Sequence, residues 1–96
     1  MDFSYLEGFA AGDRVVIGEV LALFVQQAEA WGPQIDTASA DWRDVVHTIK
    51  GSARGIGANA LGDLCAQAET AGPPDLEPVR VGLAAVVADI RTYLAR

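Results

Sequence analysis

Apolar residues recur at helical spacing in four stretches of this chain, and residues that break helices separate the stretches. The alternation of apolar and polar residues that is typical of strands is missing. The pattern therefore predicts an all-α fold. The predicted inward-facing positions are, helix by helix, Ile17, Val20, Leu21, Phe24, Ala28 and Trp31; Trp42, Val45, Val46, Ile49, Ala53 and Ile56; Leu61, Leu64, Cys65 and Ala68; and Val79, Leu83, Val86, Ile90 and Leu94.

Three polar residues indicate where these helices begin. Asp13, Asp41 and Asn59 each precede an apolar stripe, and their side chains can accept hydrogen bonds from the free amides of a first helical turn. A further short helix is predicted from Asp2 to about Gly8. Four long helices with short connections favour an antiparallel up-and-down bundle, with the short helix covering one end. We expect a single domain over residues 1–96.

Glycine and proline indicate where the helices end. Gly32-Pro33 predicts a stop or a sharp bend, and Gly72-Pro73-Pro74 ends the third long helix because proline lacks an amide donor and blocks continuation. The last helix is expected to begin at Asp75, with Pro78 accommodated in its first turn. The stretch 34–40 fits either an extension of the first long helix or a connection, and the sequence leaves both open.

Charge and composition narrow the classes of partner. Thirteen Asp and Glu against seven Lys and Arg give a formal net charge of -6, and an acidic chain lacks the basic surface that nucleic acid or anionic lipid attracts. We find no apolar run long enough to span a bilayer, no secretory signal and, with Cys65 as the single cysteine, no internal disulfide. We expect a cytoplasmic monomer that binds neither nucleic acid nor membranes.

The single histidine lies on the second long helix, predicted to run from residue 41 to residue 57. At about 100° per residue, with Val46 set to zero, the apolar stripe centres near about 310° and His47 falls at about 100°. Lys50, Gly51 and Arg54 fall at about 40°, 140° and 80°. The histidine is therefore predicted to face solvent, with these three residues beside it.

The neighbours of His47 suit phosphoryl chemistry. A neutral imidazole nitrogen can attack an acyl phosphate, and Lys50 can place a positive charge beside the phosphoryl oxygens from one turn away. Gly51 costs roughly 1 kcal/mol of helix propensity relative to Ala, which close approach of another protein would explain. Taken singly, each residue has an ordinary interpretation, as a surface histidine, a solvated basic face and a glycine near the end of a helix.

Together, residues 47–58 (His-Thr-Ile-Lys-Gly-Ser-Ala-Arg-Gly-Ile-Gly-Ala) resemble the signature of the histidine phosphotransfer (HPt) family. In that signature a phosphorylatable histidine precedes an apolar residue, Lys, Gly, a small pair and a later Gly-Ala step. Ile49 replaces the more usual leucine, which is a conservative difference. The similarity extends to the flanking helices at Leu23, Phe24, Leu61, Leu64, Cys65 and Glu69.

The resemblance implies that His47 accepts a phosphoryl group on Nε2 from a receiver-domain aspartyl phosphate or from a histidine kinase, including a hybrid one. The group would then pass to a response-regulator receiver domain. Lys50 and Arg54 would support the phosphate by charge, and Gly51 by leaving space. Mg²⁺ would belong to the receiver, so no cofactor of the domain's own is expected. The sequence has no glycine-rich phosphate loop, so we expect a carrier and not an ATP-dependent enzyme.

The expected docking surface is the face around His47, bordered by the first long helix. Val16 and Leu23 lie seven residues apart on that helix and are, with Gly55, candidates for contact with a partner. The apolar pair could equally be buried beneath the N-terminal segment.

Two other functions fit parts of the pattern. The domain could be a non-catalytic binding or scaffold module that keeps the HPt fold, although the combination of His47, Lys50 and Gly51 argues against this. A dimerisation and histidine-phosphotransfer domain of a kinase would need a dimeric hairpin of two long helices and an ATP-binding domain. This chain has four helical segments instead.

Overall fold

The computed structural model describes residues 1–71 and 76–96, and this part of the chain contains helices and no strand. Helices α2, α3, α4 and α5 contact one another in a ring, in the order α2, α3, α4, α5 and back to α2. This is the all-α four-helix bundle that the sequence predicts, and α1 packs against α2. The helices are α1 (Ser4–Phe9), α2 (Arg14–Trp31), α3 (Trp42–Gly55), α4 (Asn59–Thr70) and α5 (Glu77–Leu94).

The core is built from the apolar stripes of the helices. The predicted inward positions of α2, α3 and α4 are all buried or partly buried, which confirms the helical periodicity. One predicted inward position of α5 is wrong: Leu94 is 42% exposed, and the neighbouring Tyr93 is buried instead. The Tyr93 ring stacks on Phe3 with the ring centroids 4.2 Å apart. The N-terminal segment therefore decides which residue of the last turn of α5 faces inward.

The three predicted N-caps have different outcomes. The Asp13 carboxylate accepts hydrogen bonds from two amides of the first turn of α2, at 3.0 and 3.2 Å. Asp41 precedes α3, but its side chain makes no capping hydrogen bond. The backbone of Asp13 is extended, with ψ 103°, whereas that of Asp41 has ψ 10°. Asn59 is wrong as a cap, because it is the first residue of α4 and the buried Ala58 occupies the cap position.

A tight turn leads directly from α3 into α4, and α3 ends at Gly55, two residues before the predicted end. The amides of Gly57 and Ala58 donate to the carbonyl oxygens of Arg54 and Ala53, at 3.2 and 2.8 Å, which is the Schellman pattern. Gly57 has φ +84°, a conformation that glycine adopts without steric cost. The turn places Ala58 directly before α4, and alanine has no side-chain acceptor, so α4 begins without a side-chain cap.

The connection between α2 and α3 is not a helical extension. A 3-10 turn at Gly32–Gln34 follows α2, and the Asp36 carboxylate then accepts a hydrogen bond from the amide of Ala38 at 2.9 Å. Ile35 is buried between these turns and its carbonyl oxygen accepts a hydrogen bond from the Arg80 guanidinium.

The predicted stop at Gly72-Pro73-Pro74 and the predicted helix start at Asp75 lie outside the described residues. Helix α4 ends at Thr70, and α5 begins at Glu77 with Pro78 in its first turn, as expected. No helix within residues 1–71 and 76–96 combines the length and the apolar character needed to cross a membrane.

The two aspartates that precede α2 and α3 provide a matched pair for measuring the cap. We expect Asp13→Ala to lower the free energy of unfolding by about 1 kcal/mol, because two first-turn amides lose their acceptor. Asp41→Ala should cost clearly less, since no amide depends on that side chain. Urea unfolding of both variants measures the difference, and equal losses would contradict the assignment of Asp13 as the cap.

Candidate functional site

His47 lies in the middle of α3 and points away from the core. The side chains of Val46, Ile49 and Ala53 on the opposite face are fully buried, which fixes the rotation of the helix. The His47 side chain is 69% exposed. This confirms the prediction that the histidine faces solvent.

One nitrogen of the imidazole is held by a carboxylate of α4. Nδ1 of His47 lies 3.1 Å from Oε2 of Glu69. Within the described residues, Nε2 makes no hydrogen bond. The ring is therefore oriented through its inner nitrogen, on a side chain that is mostly exposed.

Lys50 joins the same carboxylate. Its Nζ lies 2.8 Å from Oε1 of Glu69, and both side chains are about four-fifths buried. Oε1 accepts no hydrogen bond of ordinary angle from the described residues, so the contact is best described as a close ion pair. The Lys50 ammonium holds the pKa of the Glu69 carboxyl below its ordinary value. Burial alone would raise this pKa, but the contacts with Lys50 and His47 together outweigh the effect of burial.

One further contact joins the end of α4 to α3, and a buried thiol lies one turn before it. The Arg43 guanidinium donates a hydrogen bond to the backbone carbonyl oxygen of Glu69 at 3.3 Å and lies over the Trp42 ring. Cys65, one turn before Glu69, is fully buried, and burial raises the pKa of its thiol to about 11. The thiol is therefore part of the core, as the sequence predicts, and is unreactive.

Arg54 lies outside the group formed by His47, Lys50 and Glu69. It follows His47 by seven residues, which is about 10 Å along a helix. Its guanidinium is 3.6 Å from the Asp63 carboxylate, and its methylenes cover Gly62, where a Cβ would come within 2.8 Å of Cγ. The structure thus pairs Arg54 with α4, and its support of a phosphate stays a prediction.

Gly51, four residues after His47, and Gly55, eight residues after it, leave the surface of α3 open at both positions. A Cβ at either position would meet no atom within 4 Å, so the packing of this chain does not require glycine there. The fold therefore does not explain why a residue of low helix propensity occupies position 51. The interpretation that a partner approaches closely at Gly51 stays a prediction.

A shallow apolar groove lies between α2 and the last turn of α3. Leu23, 53% exposed, and Val16, 42% exposed, are not buried beneath the N-terminal segment, so that alternative is wrong. Leu23 and Gly55 both line the groove, whereas Val16 lies two turns earlier on α2. The groove has a volume of about 250 Å³ and is lined by Val20, Leu23, Phe24, Gln27, Ser52, Gly55 and Ile56.

Glu69 is the site residue that reasoning from residue patterns missed. It follows the buried Cys65 by four residues and therefore continues the inward stripe of α4. A carboxylate at such a position needs a cation or hydrogen-bond donors, and Lys50 borders the stripe of α3. These two observations together could have suggested the pair. Among residues 1–71 and 76–96, no group of three or more His, Cys, Asp or Glu side chains could hold a metal ion.

Comparison with known proteins agrees with the geometry. The family model of the Hpt domain matches residues 19–95. The chain is similar to the crystal structure, at 1.52 Å resolution, of the histidine phosphotransferase ShpA from Caulobacter crescentus, with 54% identity and a TM-score of 0.89. The match covers 96% of this chain and 88% of that one. A comparison with curated protein sequences found no significant match.

The lowered pKa of Glu69 predicts how its contribution to stability depends on pH. A carboxyl whose pKa falls on folding stabilises the native state above the ordinary value of 4.5 and loses this effect as the pH falls through the folded-state pKa. We expect Glu69→Gln to lower the free energy of unfolding by about 1 kcal/mol at pH 7. The difference from the wild type should vanish in acid, where both side chains are neutral.

Denaturant unfolding at a series of pH values measures this effect. Glu29→Gln is the matched control, because Glu29 is exposed and its ion pair with the Arg91 guanidinium is long, at 3.9 Å. A loss for Glu69→Gln that is independent of pH would contradict the ion pair.

Proposed function

The chain belongs to the Hpt domain family and is a phosphoryl carrier of a phosphorelay, and we propose that it carries the group on Nε2 of His47. The observation that carries this proposal is the asymmetry of the ring. Nδ1 is engaged by Glu69 at 3.1 Å, while Nε2 has no hydrogen-bond partner among the described residues and belongs to a side chain that is 69% exposed. A nucleophile must reach its phosphorus in line with the bond that breaks, and the open surface at Gly51 supports such an approach.

The transfer is a displacement at phosphorus. The lone pair of Nε2 forms the N–P bond, the acyl P–O bond breaks, and the receiver aspartate leaves as a carboxylate with the electron pair. Lys50 supports the transferred group electrostatically. An ammonium has three donors, so it can hold Glu69 and still donate to a phosphoryl oxygen.

Members of this family work with histidine kinases and receiver domains in two-component phosphorelays and are not kinases themselves. We propose that this chain receives the group from a receiver aspartyl phosphate or directly from a histidine kinase, and passes it to a response-regulator receiver domain. Mg²⁺ is supplied by the receiver in this scheme. Since oxygen ligands are what Mg²⁺ prefers, the acidic pocket of the receiver suits that ion.

The groove between α2 and α3 is the proposed docking surface for the receiver. It is apolar, includes Ser52 and Gly55 of the helix that carries His47, and also includes the exposed Leu23 of α2. Exposed apolar surface on the helix that carries the reactive side chain supports a partner site. Val16 extends the apolar surface along α2.

Replacement of the histidine tests the carrier residue. On incubation with a receiver labelled at its aspartyl phosphate, in the presence of Mg²⁺, label should appear on the wild type and not on His47→Gln. An unchanged melting curve serves as the control for folding, and His47→Gln should give one because the side chain lies on the surface. Label on His47→Gln would contradict the proposal. Lack of label from any donor would favour a scaffold module.

Two exposed apolar residues of similar accessibility test the docking surface. We expect Leu23→Asp to weaken binding of a receiver by roughly tenfold or more, because a charge would enter an apolar contact. Val81→Asp on α5 is the matched control, as Val81 is 58% exposed and lies outside the groove. Titration calorimetry compares the two, and equal affinities would argue against docking in the groove.

A further inference from the structure

A second cavity lies between α4 and α5, on the side of the bundle away from the groove between α2 and α3. Its volume is about 410 Å³, which falls within the roughly 300–1,000 Å³ of pockets that hold small organic molecules. The cavity shares no lining residue with the groove, and none of His47, Lys50 and Glu69 lines it. Phosphoryl transfer as proposed above therefore makes no use of this cavity.

Short side chains on two facing helices leave the cavity open. The helices approach closely at Gly82, where a Cβ would come within 2.8 Å of Cδ1 of Leu64 and 3.2 Å of Cδ1 of Leu61. Ala60 of α4 and Ala85 of α5 also line the cavity and are exposed, and their methyl groups are too short to fill the space. The walls are mostly apolar, so the cavity favours a ligand with an apolar body.

Three side chains with oxygen acceptors line the same cavity, namely Asp2, Asn59 and Asp89. The amide of Ser4 donates to Oδ1 of Asp2 at 2.9 Å, and hydrogen bonds from Ser4 hold the pKa of this carboxyl below its ordinary value. Asp2 is therefore ionised at neutral pH. Within residues 1–71 and 76–96, the side chain of Asn59 and Oδ1 of Asp89 make no hydrogen bond, so both are free to accept one from a ligand.

The charge of this lining is negative. The amino group of Met1 lies 2.6 Å from Oδ2 of Asp89, and it is the counterion of one of the two carboxylates. No Lys or Arg is among the described residues that line the cavity, so the second carboxylate has no counterion there. The whole chain carries a formal net charge of -6. The lining therefore attracts cations and repels anions.

We propose that this cavity binds a small organic cation, a primary ammonium carried on an apolar chain or ring. An ammonium has three donors and no acceptor, which matches the oxygen acceptors of Asp2, Asn59 and Asp89. The apolar body would lie against Ala60 and Ala85 between α4 and α5. The proposal does not depend on the role of His47. Because the cavity and the groove share no residue, the ligand and a receiver can be bound at the same time.

A matched series of probes tests the class of ligand. n-Octylammonium, n-octanol and n-octanoate share one alkyl chain and differ in charge. Each is titrated into the ¹⁵N-labelled domain at neutral pH, and the amide shifts are followed by NMR. We expect n-octylammonium to cause saturable shifts around the cavity, at Ala60 and Ala85 among others. n-Octanoate should bind at least about tenfold more weakly, because it brings a like charge to the carboxylates, and n-octanol should be intermediate.

Filling the cavity tests where the probe binds. Ala85→Leu and Ala60→Leu each enlarge one wall, from α5 and from α4. Either should weaken the binding of n-octylammonium by roughly tenfold or more, since the added atoms occupy the space of the alkyl chain. Ala84→Leu is the matched control, because Ala84 is exposed and does not line the cavity, and it should bind the probe as the wild type does. A well-dispersed amide spectrum shows that each variant is folded.

Removal of one charge tests the contact with the ammonium. Asp2→Asn should weaken the binding of n-octylammonium about threefold, the size of an exposed ion pair, and leave that of n-octanol unchanged. The amide oxygen of the variant can still accept from Ser4, so the N-terminal segment keeps its turn. Glu7→Gln is the control for charge, since Glu7 is exposed and lies outside the cavity.

Three results would overturn the proposal. Shifts that do not saturate would show that the cavity is not a binding site. Equal affinities for n-octanoate and n-octylammonium would show that the carboxylates do not select the ligand. Binding to Ala85→Leu and Ala60→Leu that equals binding to Ala84→Leu would place the probe elsewhere on the domain.

Discussion

The packing of α3 against α4 is the contact on which the site depends. Val46, Ile49 and Ala53 are fully buried along one stripe, and a rotation of α3 would expose part of this stripe and bury polar residues in its place. The rotation is therefore fixed by the core, and the position of His47 follows from it. The same contact brings the last turns of α4 alongside the histidine, where Glu69 reaches the ring.

The charges of the two helices are matched across this contact. Each of the three cations of α3 is directed toward α4, Arg43 to a backbone carbonyl oxygen, Lys50 to the Glu69 carboxylate and Arg54 to the Asp63 carboxylate. In an acidic chain this places the basic residues of α3 in contact with acceptors and leaves the histidine as the group that faces a partner. The surface that we propose for docking is consequently apolar and only weakly charged. Recognition of this surface by a receiver would depend on shape complementarity and the burial of apolar area as much as on electrostatic attraction.

Much of the fold follows from helical periodicity, because the position of each apolar residue on its own helix is a local property. That is why the stripe of α3 and the exposure of His47 could be predicted. The partner of the histidine could not, since the contact with Glu69 depends on how two helices are placed relative to each other. The exchange of Leu94 for Tyr93 has a similar cause, because Phe3 comes from the other end of the chain. Asn59 resembles a cap locally, but the turn at Gly57 removes the position it would need.

The buried thiol of Cys65 can be used to measure local opening of the bundle near the site. This thiol is fully buried one turn before Glu69, with a pKa of about 11, so a thiol reagent can react with it only when the packing around α4 opens. The rate of labelling therefore reports the free energy of that local opening at a single side chain. In this way the chain contains a natural probe of native-state fluctuations, located one turn from the carboxylate that contacts His47.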